Sequence, residues 1–194
     1  MSGSAAVIQA AGKGSRFHSG QYKLLSLIDG EPMILRTLSP VLRAGFDEVV
    51  VVIGCHAPEM RRTLLDYPVR VVENPDWELG QSTSLKAGIR AVQSSSERAC
   101  MLLGDQPFLR EETLWDLLAA SEAHPLDVIV PFFQGRRGNP IVVPAFRYPL
   151  LLELTSGDTG GRRLLETVGY RPAATGDPGV LRDIDTVEDI QHHE

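Results

Sequence analysis

Ala5-Ala6-Val7-Ile8-Gln9-Ala10-Ala11-Gly12-Lys13-Gly14-Ser15-Arg16-Phe17 joins a short apolar run to a glycine-rich turn. Ala5–Gln9 has the length and character of a strand buried on both faces, as strands of a parallel sheet are. The glycines allow a sharp turn and bring backbone N–H groups close to whatever binds there. In open α/β sheets ligands bind outside the carboxyl ends of the strands. Residues with useful chemistry should therefore follow strands rather than precede them.

Outward from this stretch, brief apolar runs recur at Glu48–Ile53, Val69–Val72, Ala99–Leu103 and Asp127–Val130, bounded by Gly, Pro, Asn or charged residues. Between them Met33–Ala44, Pro58–Asp66, Ser82–Gln93 and Glu111–Ala123 are long and periodic enough for helices; Leu114, Leu117 and Leu118 fall on one face. Strands joined by helices imply right-handed crossovers and an α/β fold, an open three-layer, mostly parallel sheet. The final third is less regular. Pro131–Gly138 reads as a turn, Ile141–Val143 as a strand and Thr159–Val168 as a helix. A loop rich in Pro and Gly follows, then Leu181–Ile184 and a short helix from Val187. No repeat or linker interrupts the pattern, so residues 1–194 read as one domain.

The 43% hydrophobic content suffices for a full core. A net charge of −6 argues against a nucleic-acid surface, where a basic stripe is expected. No apolar run approaches the ~18 residues of a membrane span, and Met1–Ala5 is short and polar for a signal peptide, so a cytoplasmic location is expected. Cys55 and Cys100 form no C-x-x-C pair and read as buried, reduced thiols.

Arg16 and Lys23 accompany the glycine turn. An arginine can clamp a polyphosphate with parallel hydrogen bonds, and a lysine adds a point charge. The stretch matches neither the Walker loop nor the dinucleotide G-x-G-x-x-G, and it also reads as an ordinary turn with solvated cations. Asp105, in Leu103-Gly104-Asp105-Gln106-Pro107, stands at a strand's carboxyl end, where a hard oxygen ligand suits Mg²⁺. An Asx turn or helix cap before Pro107 is the alternative. In Asp183-Ile184-Asp185-Thr186-Val187-Glu188-Asp189, Asp183 and Asp185 alternate along an extended segment and face the same side. Thr186 with Asp189 forms a capping box, which leaves Asp185 unexplained. Gly80, Ser82 and Ser84 open a helix and aim N–H groups at an anion or polar ligand, or Ser82 simply caps it. Gly157–Arg162 is ambiguous in the same way, and Arg136 and Arg137 read as acceptor-phosphate ligands or as solvated charges.

Taken in order, these segments resemble the nucleotidyltransferase superfamily that includes sugar-phosphate and molybdopterin nucleotidyltransferases. A-A-G-K-G-S-R-F with Lys23 looks like its signature loop. G-Q-S-T-S-L, G-D-Q-P, R-G-N-P, G-D-T-G-G-R and D-I-D-T-V-E-D look more narrowly like the molybdopterin cytidylyltransferase (MobA/MocA-like) branch. The resemblance implies a Rossmann-like nucleotidyltransferase fold and the transfer of a nucleoside monophosphate to a phosphorylated acceptor, with release of pyrophosphate. It implies that Ala10, Ala11, Gly12, Gly14, Ser15, Arg16 and Lys23 bind the nucleotide, with the loop Gly12–Arg16 and Lys23 holding the triphosphate. Gly80, Ser82 and Ser84 would approach base and ribose, and Gly138, Asn139 and Asp158 would line the acceptor pocket. Asp105 and Asp185 would hold Mg²⁺, and Arg16, Lys23 and Asp105 would be catalytic.

Ala11-Gly12 matches the cytidylyl type, where the guanylyl type carries Gly-Gly, so the resemblance favours CTP. The implied acceptor is molybdopterin, and the implied recipient of the product a molybdenum hydroxylase or its chaperone. The chain departs from the branch by Gly14 in place of Ser, by Phe17 in place of Met, and by His18 and Ser19, which look like an insertion. The resulting Arg16–Lys23 spacing resembles the sugar-phosphate enzymes instead.

Overall fold

A computed structural model describes residues 3–15, 17, 21–154 and 161–191. The chain forms β1 (Ser4–Ala10), β2 (Leu27–Ile28), β3 (Glu31–Pro32), α1 (Met33–Arg43), β4 (Glu48–Ile53), α2 (Ala57–Thr63), β5 (Arg70–Glu73) and α3 (Gln81–Val92). It continues with β6 (Arg98–Leu103), α4 (Glu111–Ala123), β7 (Ile129–Phe133), β8 (Arg136–Arg137), β9 (Ile141–Pro144), α5 (Tyr148–Leu154), α6 (Arg162–Val168), β10 (Arg171–Ala174) and α7 (Val187–Gln191). The main sheet runs β10-β7-β9-β6-β1-β4-β5, with β8 paired to β7. β1 lies between β4 and β6 and is parallel to both. β9 alone of the long strands is antiparallel, to β6 and to β7.

Alternation along β1 shows why this sequence makes three layers. Ala6, Ile8 and Ala10 join one apolar cluster with Met33, Ile34 and Leu38 of α1, Met60 of α2 and Leu114 and Leu117 of α4. Ala5 and Val7 join the other, with Leu85, Ile89 and Val92 of α3, Leu151 of α5 and Leu164 and Leu165 of α6. A strand with apolar residues on both sides from Ala5 to Ile8 thus serves both faces, and burying its side chains contributes roughly 1.5–3 kcal/mol for each large one. The expected strands and helices before residue 124 all form, with ends shifted by a few residues.

The last third corrects the expectations more. β7 continues through Pro131 to Phe133, where a turn was expected from Pro131, and pairs there with Arg136 and Arg137. A strand, β10, occupies part of the Pro- and Gly-rich loop. Leu181–Ile184 is not regular: a 3-10 turn at Pro178–Leu181 leads into irregular chain. The helix expected over Thr159–Val168 is seen over Arg162–Val168, and residues 155–160 lie outside the described residues. Cys100 is buried as expected, but Cys55 is only half-buried. No helix among the described residues is long and apolar enough to cross a membrane.

Candidate active site

The carboxyl ends of the adjacent strands β1 and β6, with the segment that follows β5, open onto one cavity of about 740 Å³. β1 leads into its floor: Ala10, Ala11, Gly12, Lys13, Gly14 and Ser15 all line it. Gly14 sits at φ +64°, and a Cβ there would come within 2.8 Å of the Lys23 Cβ. The glycine turn and the lysine stem are therefore packed against each other, and a side chain at position 14 would displace Lys23. Tyr22 fastens the turn from behind. Its hydroxyl donates to the carbonyls of Ala10 (3.1 Å) and Gly12 (2.9 Å), and its ring stacks on His56 at 4.5 Å. Burial pushes the phenol well above its ordinary pKa, which keeps it a donor.

Lys23 Nζ donates to Asp105 Oδ2 at 2.7 Å and to Asp185 Oδ1 at 3.2 Å. The lysine side chain is 7% exposed, and the two acids, 25% and 34% exposed, face the cavity. Two carboxylates eighty residues apart therefore meet on one ammonium group beside the glycine turn. Asp105 caps no helix, since α4 begins at Glu111. It follows β6 directly, where Gly104 is held by its N–H to Gln9 O (3.0 Å) and by Thr37 Oγ1 to Gly104 O (3.0 Å).

Asp185 is positioned without a strand. Ile184 N donates to Asp105 O at 3.0 Å, which draws the segment to the sheet edge. Asp189 Oδ2 accepts from Asp185 N (2.9 Å) and Thr186 N (2.8 Å), while Asp189 N donates to Thr186 Oγ1 (3.3 Å). This is the reciprocal capping box expected from sequence, and it fixes Asp185 as well. The backbone N–H groups of Asp185 and Thr186 hold the Asp189 carboxyl below its ordinary range.

Asp183 also lines the cavity and accepts from Gln106 Nε2 at 3.0 Å. Burial, and then the neighbouring Asp105 charge, pushes its carboxyl upward. The floor thus gathers Asp105, Asp183 and Asp185 near Lys23, a cluster of hard oxygen donors. That donor set fits a hard divalent cation. Among the described residues no group of three or more His, Cys, Asp or Glu is arranged to hold a metal ion, so further ligands would have to be phosphate oxygens and water, as Mg²⁺ prefers.

The remaining expected site residues divide. Gly80 and Ser84 line the cavity; Ser84 Oγ accepts from Asn74 Nδ2 at 3.1 Å. Ser82 does not line it: 3% exposed, it packs inside, and it does not cap α3, whose cap residue is Gly80 with no side-chain bond. Gln81 takes that place on the wall. Gly138 and Asn139 also lie off the cavity, packed on Val180, to whose carbonyl Asn139 N donates at 2.9 Å. They border the segment that carries Asp183 rather than the cavity itself. Arg16 and Asp158 lie outside the described residues. Arg136 and Arg137 are exposed in the β8 hairpin.

Sequence reading missed Gln9, Lys13, Trp77, Glu78 and Gln81 on the cavity wall. Gln9 carried a usable signal, a polar residue at the end of an otherwise apolar strand. Trp77 stands three residues before the glycine that opens α3, with no pattern to mark it.

The profile of the MobA-like NTP transferase domain matches residues 6–174. Among curated proteins, the bifunctional protein GlmU of Syntrophotalea carbinolica is 37% identical over 139 residues, 68% of this chain and 30% of that protein. The chain spans less than a third of the length of the first such relatives. Nicotine blue oxidoreductase of Paenarthrobacter nicotinovorans is 30% identical over 95% of this chain and 93% of its own. A solved nucleotidyl transferase from Methanothermobacter superposes with a TM-score of 0.82 at 28% identity, covering 97% of this chain and 94% of that one. The chain thus belongs to the family of MobA-like NTP transferase domains.

Proposed function

We propose that the chain transfers CMP from CTP to the terminal phosphate of an acceptor of the molybdopterin type and releases pyrophosphate. The observation that carries this reading is the convergence of Asp105 and Asp185 on Lys23 beside the glycine turn. The turn offers N–H groups to the triphosphate, with Arg16 as a clamp. Asp105 and Asp185 are the residues that would hold Mg²⁺, which when bound neutralises charge on the transferred and leaving groups.

An acceptor phosphate has a second pKa near ~6, so it is ionised at neutral pH and needs no general base. Among the described residues, neither His56 nor His124 lines the cavity. The obstacle is the approach of two anions. Lys23 is held at the spot by its ion pairs, and its flexible stem lets Nζ exchange a carboxylate for a phosphate oxygen. Electrostatic groups preorganised in this way act without reorganisation cost at the moment of reaction.

A sugar- or alcohol-phosphate acceptor is the second reading, favoured by the Arg16–Lys23 spacing. Pyrophosphate release is the test, with CTP and GTP each offered molybdopterin and a panel of sugar and alcohol phosphates, with and without magnesium. Release with CTP and molybdopterin, dependent on magnesium, supports the proposal. Release only with another acceptor moves it to the second reading. Redox turnover of nicotine blue without pyrophosphate release would point instead to chemistry of the kind named in that relative.

A further inference from the structure

Part of the cavity wall is aromatic, and no step above uses it. Trp77 lines the same cavity as Lys23, Asp105 and the glycine turn. It is half-buried, packed against the apolar layer that contains Ala11 and Val52. Gly54 lies beneath it at the end of β4. A Cβ on Gly54 would stand 2.7 Å from Trp77 Cβ, 2.8 Å from Trp77 Cγ and 2.9 Å from Ala11 Cβ. Segments following β1, β4 and β5 therefore meet at Ala11, Gly54 and Trp77 with no room for one more carbon.

The rest of this cavity is built of backbone amides, cations and carboxylates, which suit phosphates. A large apolar ring left partly uncovered among them is matched by a flat ring of the ligand, because offset stacking recovers the exposed area. In a nucleotide the only such ring is the base.

We propose that Trp77 is the platform on which the nucleobase stacks, and that Gly54 holds the indole at its depth by carrying no side chain. This rests on the reading that the cavity takes an NTP. Position 54 is then a specificity position alongside Ala11: a side chain there pushes the indole toward the space the base needs.

The chain has two tryptophans, and Trp115 is on α4, 46% exposed and away from the cavity. Trp115→Phe leaves Trp77 as the sole indole reporter. With magnesium present, CTP is expected to quench its emission, whereas inorganic tripolyphosphate binds, by calorimetry, without quenching. In the native background Trp77→Ala should weaken CTP about 10- to 100-fold while tripolyphosphate changes by less than about 2-fold, as loss of one base–aromatic stack does. Trp77→Phe should keep most of the affinity, and Gly54→Ala should weaken CTP by a larger factor than tripolyphosphate. If CTP and tripolyphosphate both bind yet change the emission equally, or lose affinity equally in Trp77→Ala, the platform is wrong and the nucleotide reading survives. If neither binds, the nucleotide reading fails and the platform falls with it.

Discussion

Asp105 and Asp185 touch the same ammonium group but are placed by different means. Asp105 follows a buried strand, and the sheet delivers it: Gly104 is pinned to Gln9 and Thr37, so the carboxylate's position is set by core packing. Asp185 stands in irregular chain and is placed by local hydrogen bonds, from its own N–H to Asp189 and from Ile184 to the Asp105 carbonyl. One half of the floor is therefore as rigid as the sheet, and the other is as rigid as a five-residue helix cap. Placement by core packing should tolerate changes around it, while placement by a cap should be sensitive to a single carboxylate.

The largest effect that bears on this contrast is expected from Asp105→Ala. Turnover should disappear while circular dichroism and melting stay near those of the parent, because the strand, not the side chain, carries the fold. Pyrophosphate release at the parent rate by a folded Asp105→Ala protein would remove the rigid half from the account. Lys23→Ala should slow turnover ~10²-fold, as loss of one preorganised electrostatic group does. The same variant leaves Asp105 and Asp185 without their shared cation, so they should separate if only the cap holds Asp185.

Asp189→Ala probes the cap-placed half directly. It touches no substrate, yet it should lower turnover about 10-fold, the scale on which residues that orient metal ligands act. Loss of the cap should also lower stability by about 1 kcal/mol. Because the folded carboxyl of Asp189 is held below its ordinary value, its stabilisation is present above about pH 4 and is lost as pH falls through that lowered value. The gap in melting temperature between the parent and Asp189→Ala should therefore close in strong acid and remain constant at neutral pH. Unchanged turnover in Asp189→Ala would mean that Asp185 is held by something other than the cap.

The smallest effect concerns the base. Ala11→Gly removes a Cβ from the contact with Gly54 and Trp77, so GTP use should rise a few-fold relative to CTP. A constant ratio in a nucleotide panel would take Ala11 out of the selection.

The same contrast explains how much the sequence disclosed. β1, β4 and β6 are mostly apolar runs, and a run of that kind announces both the strand and the residue that follows it; the positions of Asp105 and the glycine turn at strand ends were legible for that reason. Thr186 and Asp189 were legible as a capping box, but the draw of Ile184 onto Asp105 depends on tertiary contact and has no sequence period. The rest was hidden by composition. Arg171–Ala174 holds no β-branched residue and read as loop, and Pro131 cut the expected strand short at Val130, where β7 in fact continues to Phe133. The antiparallel β9, placed between β6 and β7, cannot be inferred from alternation of strands and helices alone. α3 begins at Gln81, one residue earlier than expected; Gln81 and Ser84 stand on the cavity wall while Ser82 packs inside. Trp77 could not be read at all, since one aromatic in a turn is as consistent with packing as with binding.

CTP binding measured by calorimetry with and without magnesium, in the parent, Asp105→Asn and Asp185→Asn, addresses the shared cation most directly. Magnesium should strengthen CTP binding in the parent and do so in neither variant, since each lacks one of the two anchoring carboxylates. Retention of the full magnesium effect by either variant would show that the two acids do not hold one ion together.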